Sequence, residues 1–301
     1  MSRKQTLAAA LLALAGLAAF GYARPMSVLE AGGELLLRLR GVASREIEAG
    51  GFRLRYLEAG SGPPLVLVHG LASSALADWG RLVPALGERH HVYAPDLPGF
   101  GRSERPPDAA YSIPMQVEAV RAFMAKAGVP RARVAGVSMG GWIAARLAAE
   151  HPELVERLVL VAPAGMRPVE SAPIPAEELL PQDQDGVRRL IAVVRHHPPP
   201  TPGFVLADIL ALKKRDEWIV RRALESMRLG RDWLDGTLGR VRMPVLVVWG
   251  RNDALIPAAY AARLQAELPD ARLEIIDDCG HVPMADCPQA FDPVLQGFLA
   301  N

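Results

Sequence analysis

The chain has 301 residues, half of them hydrophobic, enough for one large α/β domain with a sizeable core. Its 34 basic and 33 acidic residues leave a net charge of +1, so no basic excess exists to neutralise phosphates, which argues against nucleic acid as a partner. Two cysteines, Cys279 and Cys287, match no zinc pattern and cannot alone make a disulfide framework.

The first element is Leu7–Ala23, which is free of charge and preceded by Arg3 and Lys4. As a helix its roughly 17 residues span about 26 Å, sufficient for a thin bilayer and long for the core of a signal peptide. Residues 1–25 therefore read as a transmembrane anchor. Gly21 and Ala23 offer a small-x-small cleavage site, so a cleaved export signal is the alternative. Arg3 and Lys4 would stay cytoplasmic, placing a single-pass protein in a bacterial inner membrane with its main domain periplasmic. Cleavage would leave it secreted or periplasmic. The same helix is a candidate surface for pairing with a second copy. Residues 26–44 read as a juxtamembrane helix, which Gly32-Gly33 would weaken by about 1 kcal/mol per glycine.

Strands follow near Arg45–Glu48 and at the alternating Phe52, Leu54 and Tyr56. Short branched apolar runs predict buried strands at Leu65–Val68, Val92–Ala94, Val134–Val137, Leu158–Val161, Val245–Trp249 and Leu273–Ile276. Helical patterns fit Asp78–Gly87, Pro114–Ala127, Met139–Glu150, Ala258–Leu268 and Pro288–Leu299. Alternating β and α units predict a mainly parallel, doubly wound α/β sheet. The core is then split, 45–165 and 244–301. Between its parts, residues 166–243 hold no buried strand but carry amphipathic stretches near Gly186–Val194 and Phe204–Leu212 and the run His196-His197-Pro198-Pro199-Pro200. A helical insertion of this length reads as a cap over the sheet.

The stretch Arg133–Trp142 reads RVAGVSMGGW, in which Gly136, Ser138 and Gly140 make G-x-S-x-G between a strand and a helix. A sharp turn there lifts the serine above the sheet, beside the positive end of a helix. A plain βα turn with a serine cap is the bland reading. A serine hydroxyl needs a base in reach, and the base and its acid partner should follow at strand ends in the order Ser, acid, His. His281 alone of the later histidines follows the last strand. Val245–Trp249 is followed at once by Gly250-Arg251-Asn252-Asp253, which makes Asp253 the candidate acid. The candidate triad is Ser138, Asp253 and His281. The oxyanion donors expected are the N–H groups of Met139, next to the nucleophile, and Leu71, after the third strand. His69 and Gly70 shape that loop and join Trp142 as candidates for contact with substrate. For His69 the structural role is the stronger reading, and for Trp142 the alternative is core packing. No metal or cofactor is required.

These residues resemble the α/β-hydrolase superfamily from about residue 45 to the C-terminus. Ala94-Pro95-Asp96-Leu97-Pro98-Gly99-Phe100-Gly101-Arg102-Ser103 resembles the family's stretch after its fourth strand, where the resemblance implies a structural role for Asp96. Gly280-His281-Val282-Pro283-Met284 resembles its histidine loop. The family's dehalogenases and epoxide hydrolases use an aspartate nucleophile, whereas this chain has Ser138. Its C–C hydrolases usually carry Gly-Pro-Gly after the His-Gly pair, where this chain has Leu71-Ala72-Ser73-Ser74. Ala162-Pro163-Ala164-Gly165-Met166 and the cap length are similar to monoacylglycerol lipases and bacterial lipases. The apolar start resembles a membrane-anchored phospholipase A. The resemblance implies hydrolysis of lipid esters through an acyl-enzyme. A short-chain carboxylesterase, a lactonase or a C–C bond hydrolase is the alternative. Cys279 and Cys287 lie either side of His281. A disulfide would brace that loop in an oxidising compartment, but two free thiols at tolerated positions are the expectation.

Overall fold

Strands form where the branched apolar runs fall: β1 (Ala43–Ala49), β2 (Phe52–Ala59), β3 (Pro64–Val68), β4 (His91–Pro95), β5 (Ala132–Val137), β6 (Val155–Val161), β7 (Val245–Gly250) and β8 (Arg272–Ile276). The computed structural model describes residues 19–169, 175–268 and 270–300. The strands make one sheet in the order β1-β2-β4-β3-β5-β6-β7-β8. Pairing is antiparallel for β1 with β2 and β2 with β4, and parallel from β4 across to β8.

The central strands are buried on both faces, and their side chains alternate between two cores. Val66, Val68, Val134, Leu158, Leu160, Val247 and Trp249 belong to one core. Leu65, Leu67, Ala135, Val137, Val159, Val161, Leu246 and Val248 belong to the other. Helices cover both faces, as a doubly wound sheet requires. Ten are named in chain order: α1 (Pro25–Leu39), α2 (Ala75–Trp79), α3 (Val83–Gly87), α4 (Ile113–Lys126), α5 (Met139–Glu150), α6 (Gln184–Val194), α7 (Gly203–Arg228), α8 (Ala259–Glu267), α9 (Pro283–Asp286) and α10 (Pro288–Ala300). Phe123 of α4 and Ile143 of α5 fill the first core. Trp79 of α2 and Phe291 of α10 fill the second.

Three helices depart from the sequence reading. The single helix expected over Asp78–Gly87 is two, α2 and α3. Pro84 has no N–H to donate and its ring would clash with the carbonyl of Gly80, and the helix breaks here. The stretch expected at Phe204–Leu212 continues to Arg228, because Ile219, Val220, Ala223 and Leu224 carry a buried stripe past the charged run at 213–217. The third, α1, runs unbroken through Gly32-Gly33, and tertiary contacts offset its weak propensity. Glu34 accepts from Arg55 at 2.8 Å and Arg102 at 2.7 Å, and Asp208 of α7 accepts from the Met26 N–H at 2.9 Å.

Most of the expected membrane span Leu7–Ala23 lies outside the described residues, of which 19–23 are helical. Among the described residues no helix is long and apolar enough to cross a membrane.

The turn after β4 is organised by Asp96, whose side chain is buried. It accepts from Ala75 N at 2.7 Å and Arg102 N at 2.9 Å, and lies 3.5 Å from the Arg55 guanidinium. Gly101 has φ +54°, and a Cβ there would sit 2.2 Å from the Asp96 carboxyl carbon, so only glycine closes this turn. Asp96→Ala leaves the Ala75 and Arg102 N–H groups without their acceptor and removes one partner of the buried Arg55 guanidinium, which keeps Glu34 and Ser44. It should cost about 3–5 kcal/mol in chemical denaturation. A loss under about 1 kcal/mol would contradict this account of the turn.

Candidate active site

Ser138 stands at the junction of β5 and α5 with φ +55° and ψ −121°, a conformation that non-glycine residues seldom adopt. The turn is held by Ser138 N–H to Val161 O at 2.9 Å, and by N–H groups of Trp142 and Ala164 donating to Ser138 O at 3.1 and 3.0 Å. Its flanking glycines explain the motif. A Cβ on Gly136 would lie 2.1 Å from Gly140 O, and one on Gly140 would lie 2.3 Å from Val68 O. The start of α5 can rest on β3 and β5 only where side chains are missing.

Asp253 follows β7 and His281 lies in the loop after β8; both are buried. His281 Nδ1 and Asp253 Oδ2 are 2.7 Å apart. Asp253 Oδ1 accepts the N–H groups of Leu255 and Ile256 at 2.9 and 2.8 Å, so the carboxylate has no freedom to rotate. With Nδ1–H donating to Asp253, the lone pair sits on Nε2. That buried Nε2 has no partner among the described residues, and His281 and Ser138 line one cavity. The structure thus brings together residues separated by more than a hundred positions in sequence.

Met139 is the first residue of α5, so its N–H has no intrahelical acceptor. Met139, Gly70 and Leu71 also line the cavity. Asp78 fixes the loop after β3, accepting from Gly70 N at 2.8 Å and Ser73 Oγ at 2.6 Å. His69 is not among the residues that line the cavity. Its Nε2 accepts from Leu97 N at 2.9 Å, which leaves Nδ1–H to donate to Gly70 O at 2.7 Å. A fully buried imidazole thereby ties the loop after β3 to the loop after β4, which corrects its expected place among the substrate contacts. Trp142 is a cavity wall and a packing residue at once. Its ring stacks on Trp233 at 5.2 Å and its Nε1–H donates to Asp232 O at 2.8 Å.

A family model described as alpha/beta hydrolase fold matches residues 63–199 and 209–287. The chain belongs to the alpha/beta hydrolase family. It is 31% identical over 281 residues to a 2-hydroxymuconate semialdehyde hydrolase of Pseudomonas sp. (strain CF600), covering 85% of this chain and 94% of that one. It is also 31% identical over 256 residues to a pimeloyl-[acyl-carrier protein] methyl ester esterase of Aeromonas hydrophila, covering 80% and 96%. Among solved structures, that of a membrane phospholipase A, a bacterial virulence factor, superposes with a TM-score of 0.83 at 31% identity, covering 99% of this chain and 98% of that one. The protein is a hydrolase of the serine type.

Other parts of this hydrolase site carry no sequence signature. Lys213 projects from α7 and donates to Ala72 O at 2.9 Å, on the loop that holds Leu71. Burial pushes its ammonium below the ordinary lysine range, opposed by Asp78 and Asp216. Asp286 is fully buried at its side chain. It accepts from Gly280 N at 2.7 Å, His196 N at 2.9 Å, His197 N at 3.1 Å and Arg195 Nε at 3.1 Å. Burial alone would raise its pKa, but the His196, His197 and Gly280 N–H groups and Arg195 together hold it below the ordinary carboxylate value. The histidine loop and the segment after α6 thus share one carboxylate, and His281 N–H adds a bond to Val194 O at 3.1 Å.

The expectation of two free thiols is corrected. Cys279 and Cys287 form a disulfide, with Cα atoms 5.7 Å apart. The loop doubles back into α9, which brings together residues whose spacing of eight is uninformative by itself.

Asp253→Asn should lower kcat by about 10⁴-fold with the fold intact, because the imidazole loses its fixed tautomer; Ser138→Ala should abolish both turnover and labelling by a fluorophosphonate. Steady-state rates and the mass of labelled protein check this, and a fully active Ser138→Ala protein would refute it. Reduction of the disulfide opens a short loop and should cost about 2–3 kcal/mol of stability, read as a lower denaturation midpoint with reductant. An unchanged midpoint would show that the bond constrains nothing.

Proposed function

We propose that this hydrolase cleaves carboxylic esters with a long apolar acyl group, of the lipid-ester class. The observation that carries the proposal is the cavity above Ser138. It measures about 650 Å³ and is walled by apolar side chains, among them Trp142, Met166, Leu190, Val205, Met227 and Trp233. A space of this size with a mainly apolar lining suits an extended acyl chain. The likeness to a membrane phospholipase A over 99% of the chain, α1 included, supports the same reading. The apolar stretch from Leu7 fits it as an anchor that would keep the cavity near lipid.

In this scheme Ser138 Oγ attacks the ester carbonyl and its proton passes to His281 Nε2. The oxyanion is held by the N–H groups of Leu71 and Met139. His281 then protonates the leaving alcohol as the C–O bond breaks. Water, giving a proton to the same nitrogen, attacks the acyl-enzyme; His281 passes that proton to Ser138 Oγ as its bond to the acyl carbon breaks and the acid leaves.

A second reading has its own support. The relative named 2-hydroxymuconate semialdehyde hydrolase covers 85% of the chain at 31% identity, and the same triad geometry would serve cleavage of a vinylogous keto acid. Lys213, a buried cation at the cavity wall, would suit such an anion. A panel separates the two: lysophospholipids, diacyl phospholipids, monoacylglycerols and short esters in detergent, against 2-hydroxy-6-oxo dienoates. The lipid-ester reading expects kcat/KM at least tenfold higher for long acyl esters than for short esters or dienoates. The reverse order would replace it with the second reading.

A further inference from the structure

We propose that His196, His197 and Asp278 form a binding site for a divalent transition-metal ion of the zinc class. The three ligating atoms lie within 4.8 Å of one another. His196 Nε2 is 3.1 Å and His197 Nε2 is 3.2 Å from the same Asp278 oxygen. Bonds of about 2.0–2.1 Å from zinc to nitrogen or oxygen give a tetrahedron with an edge of about 3.3 Å. Two edges therefore already have about the required length, and the third, between the two imidazole nitrogens, is within 4.8 Å. The donor set of two imidazoles and one carboxylate suits zinc, with the fourth position left to water.

The backbone is arranged for this. Neighbouring side chains of an extended segment point to opposite sides. Here both oxygens of the buried Asp286 seat consecutive N–H groups, Oδ2 that of His196 and Oδ1 that of His197. The bend lets adjacent imidazoles reach one carboxylate oxygen. Their rings meet edge to face with centroids 4.7 Å apart. Asp286 thus acts as the outer partner that positions the ligands. Asp278 has φ +54° and stands three residues before His281. The neighbouring cation Arg195 is already paired with Asp286 at 3.1 Å.

The site bridges two parts of the molecule. Asp278 belongs to the histidine loop. His196 and His197 belong to the segment after α6, whose Arg195, Pro199 and Thr201 line the cavity. A bound ion would pin that wall to the loop carrying His281. The inference goes beyond the ester-hydrolase reading and does not depend on it.

The test is calorimetric titration of the full chain with zinc chloride after chelator treatment, with melting curves alongside. Wild-type protein and the Ser138→Ala variant should each bind one zinc per chain and melt at a higher temperature with it. His197→Ala and Asp278→Asn alter exposed side chains, and asparagine tolerates the left-handed backbone. Both should melt like wild type without zinc, bind zinc at least tenfold more weakly and lose the zinc-dependent shift. The proposal is overturned if wild-type protein binds no zinc, or if either variant binds it as tightly as wild type.

Discussion

A buried strand must hand Ser138 to a helix within a single residue, and much else in the structure answers to that constraint. A backbone with φ +55° is strained for any side chain, so the turn persists only where its surroundings over-determine it. The carbonyl of Val161, the glycines at 136 and 140, and the Ala164 N–H after β6 do so together. The sheet order matters here as well. β5 lies between β3 and β6, so the loop bearing Leu71 and the turn bearing Ser138 come side by side.

Two aspartates near His281 show how environment assigns different tasks to one side chain. Asp253 spends one oxygen on backbone N–H groups and keeps the other for the imidazole. Asp286 spends both oxygens on backbone N–H groups and a guanidinium, and keeps none for chemistry. The first controls a tautomer. The second controls where the loop and the segment after α6 stand relative to one another. His69 and His281 divide in the same way: both are buried, but only the second has a ring nitrogen left over.

The legible parts of the sequence were those whose signal is local. Most branched apolar runs became central strands because burial on both faces leaves no polar positions to break the run; Leu273–Ile276 also became a strand, but at the sheet edge, half-buried and with Glu274 inside it. Ser138, Asp253 and His281 could be proposed because they follow strands in a fixed chain order: Ser138 directly after β5, Asp253 three residues past β7 and His281 five residues past β8. Features that depend on chain reversal were hidden. The Cys279–Cys287 bond depends on how α9 folds back, and Lys213 depends on where a helix 141 residues away from Ala72 comes to rest. The length of α7 was misjudged because charged residues at 213–217 masked a buried stripe that resumes at Ile219. His69 drew attention as a polar group beside the site, yet its two ring nitrogens are both committed to backbone.

The first described helix has a mechanical consequence. Glu34 grips Arg55 and Arg102, Arg55 reaches Asp96, and Asp96 holds the N-terminus of α2, directly after the loop that bears Leu71. At its other end α1 is stitched to α7 through Asp208. A helix fastened at both ends to rigid parts is a handle rather than a leash. The helix cannot pivot on the body without breaking these pairs, and the chain of contacts from it runs through two ion pairs, Glu34 with Arg55 and Arg55 with Asp96, to the first residue of α2.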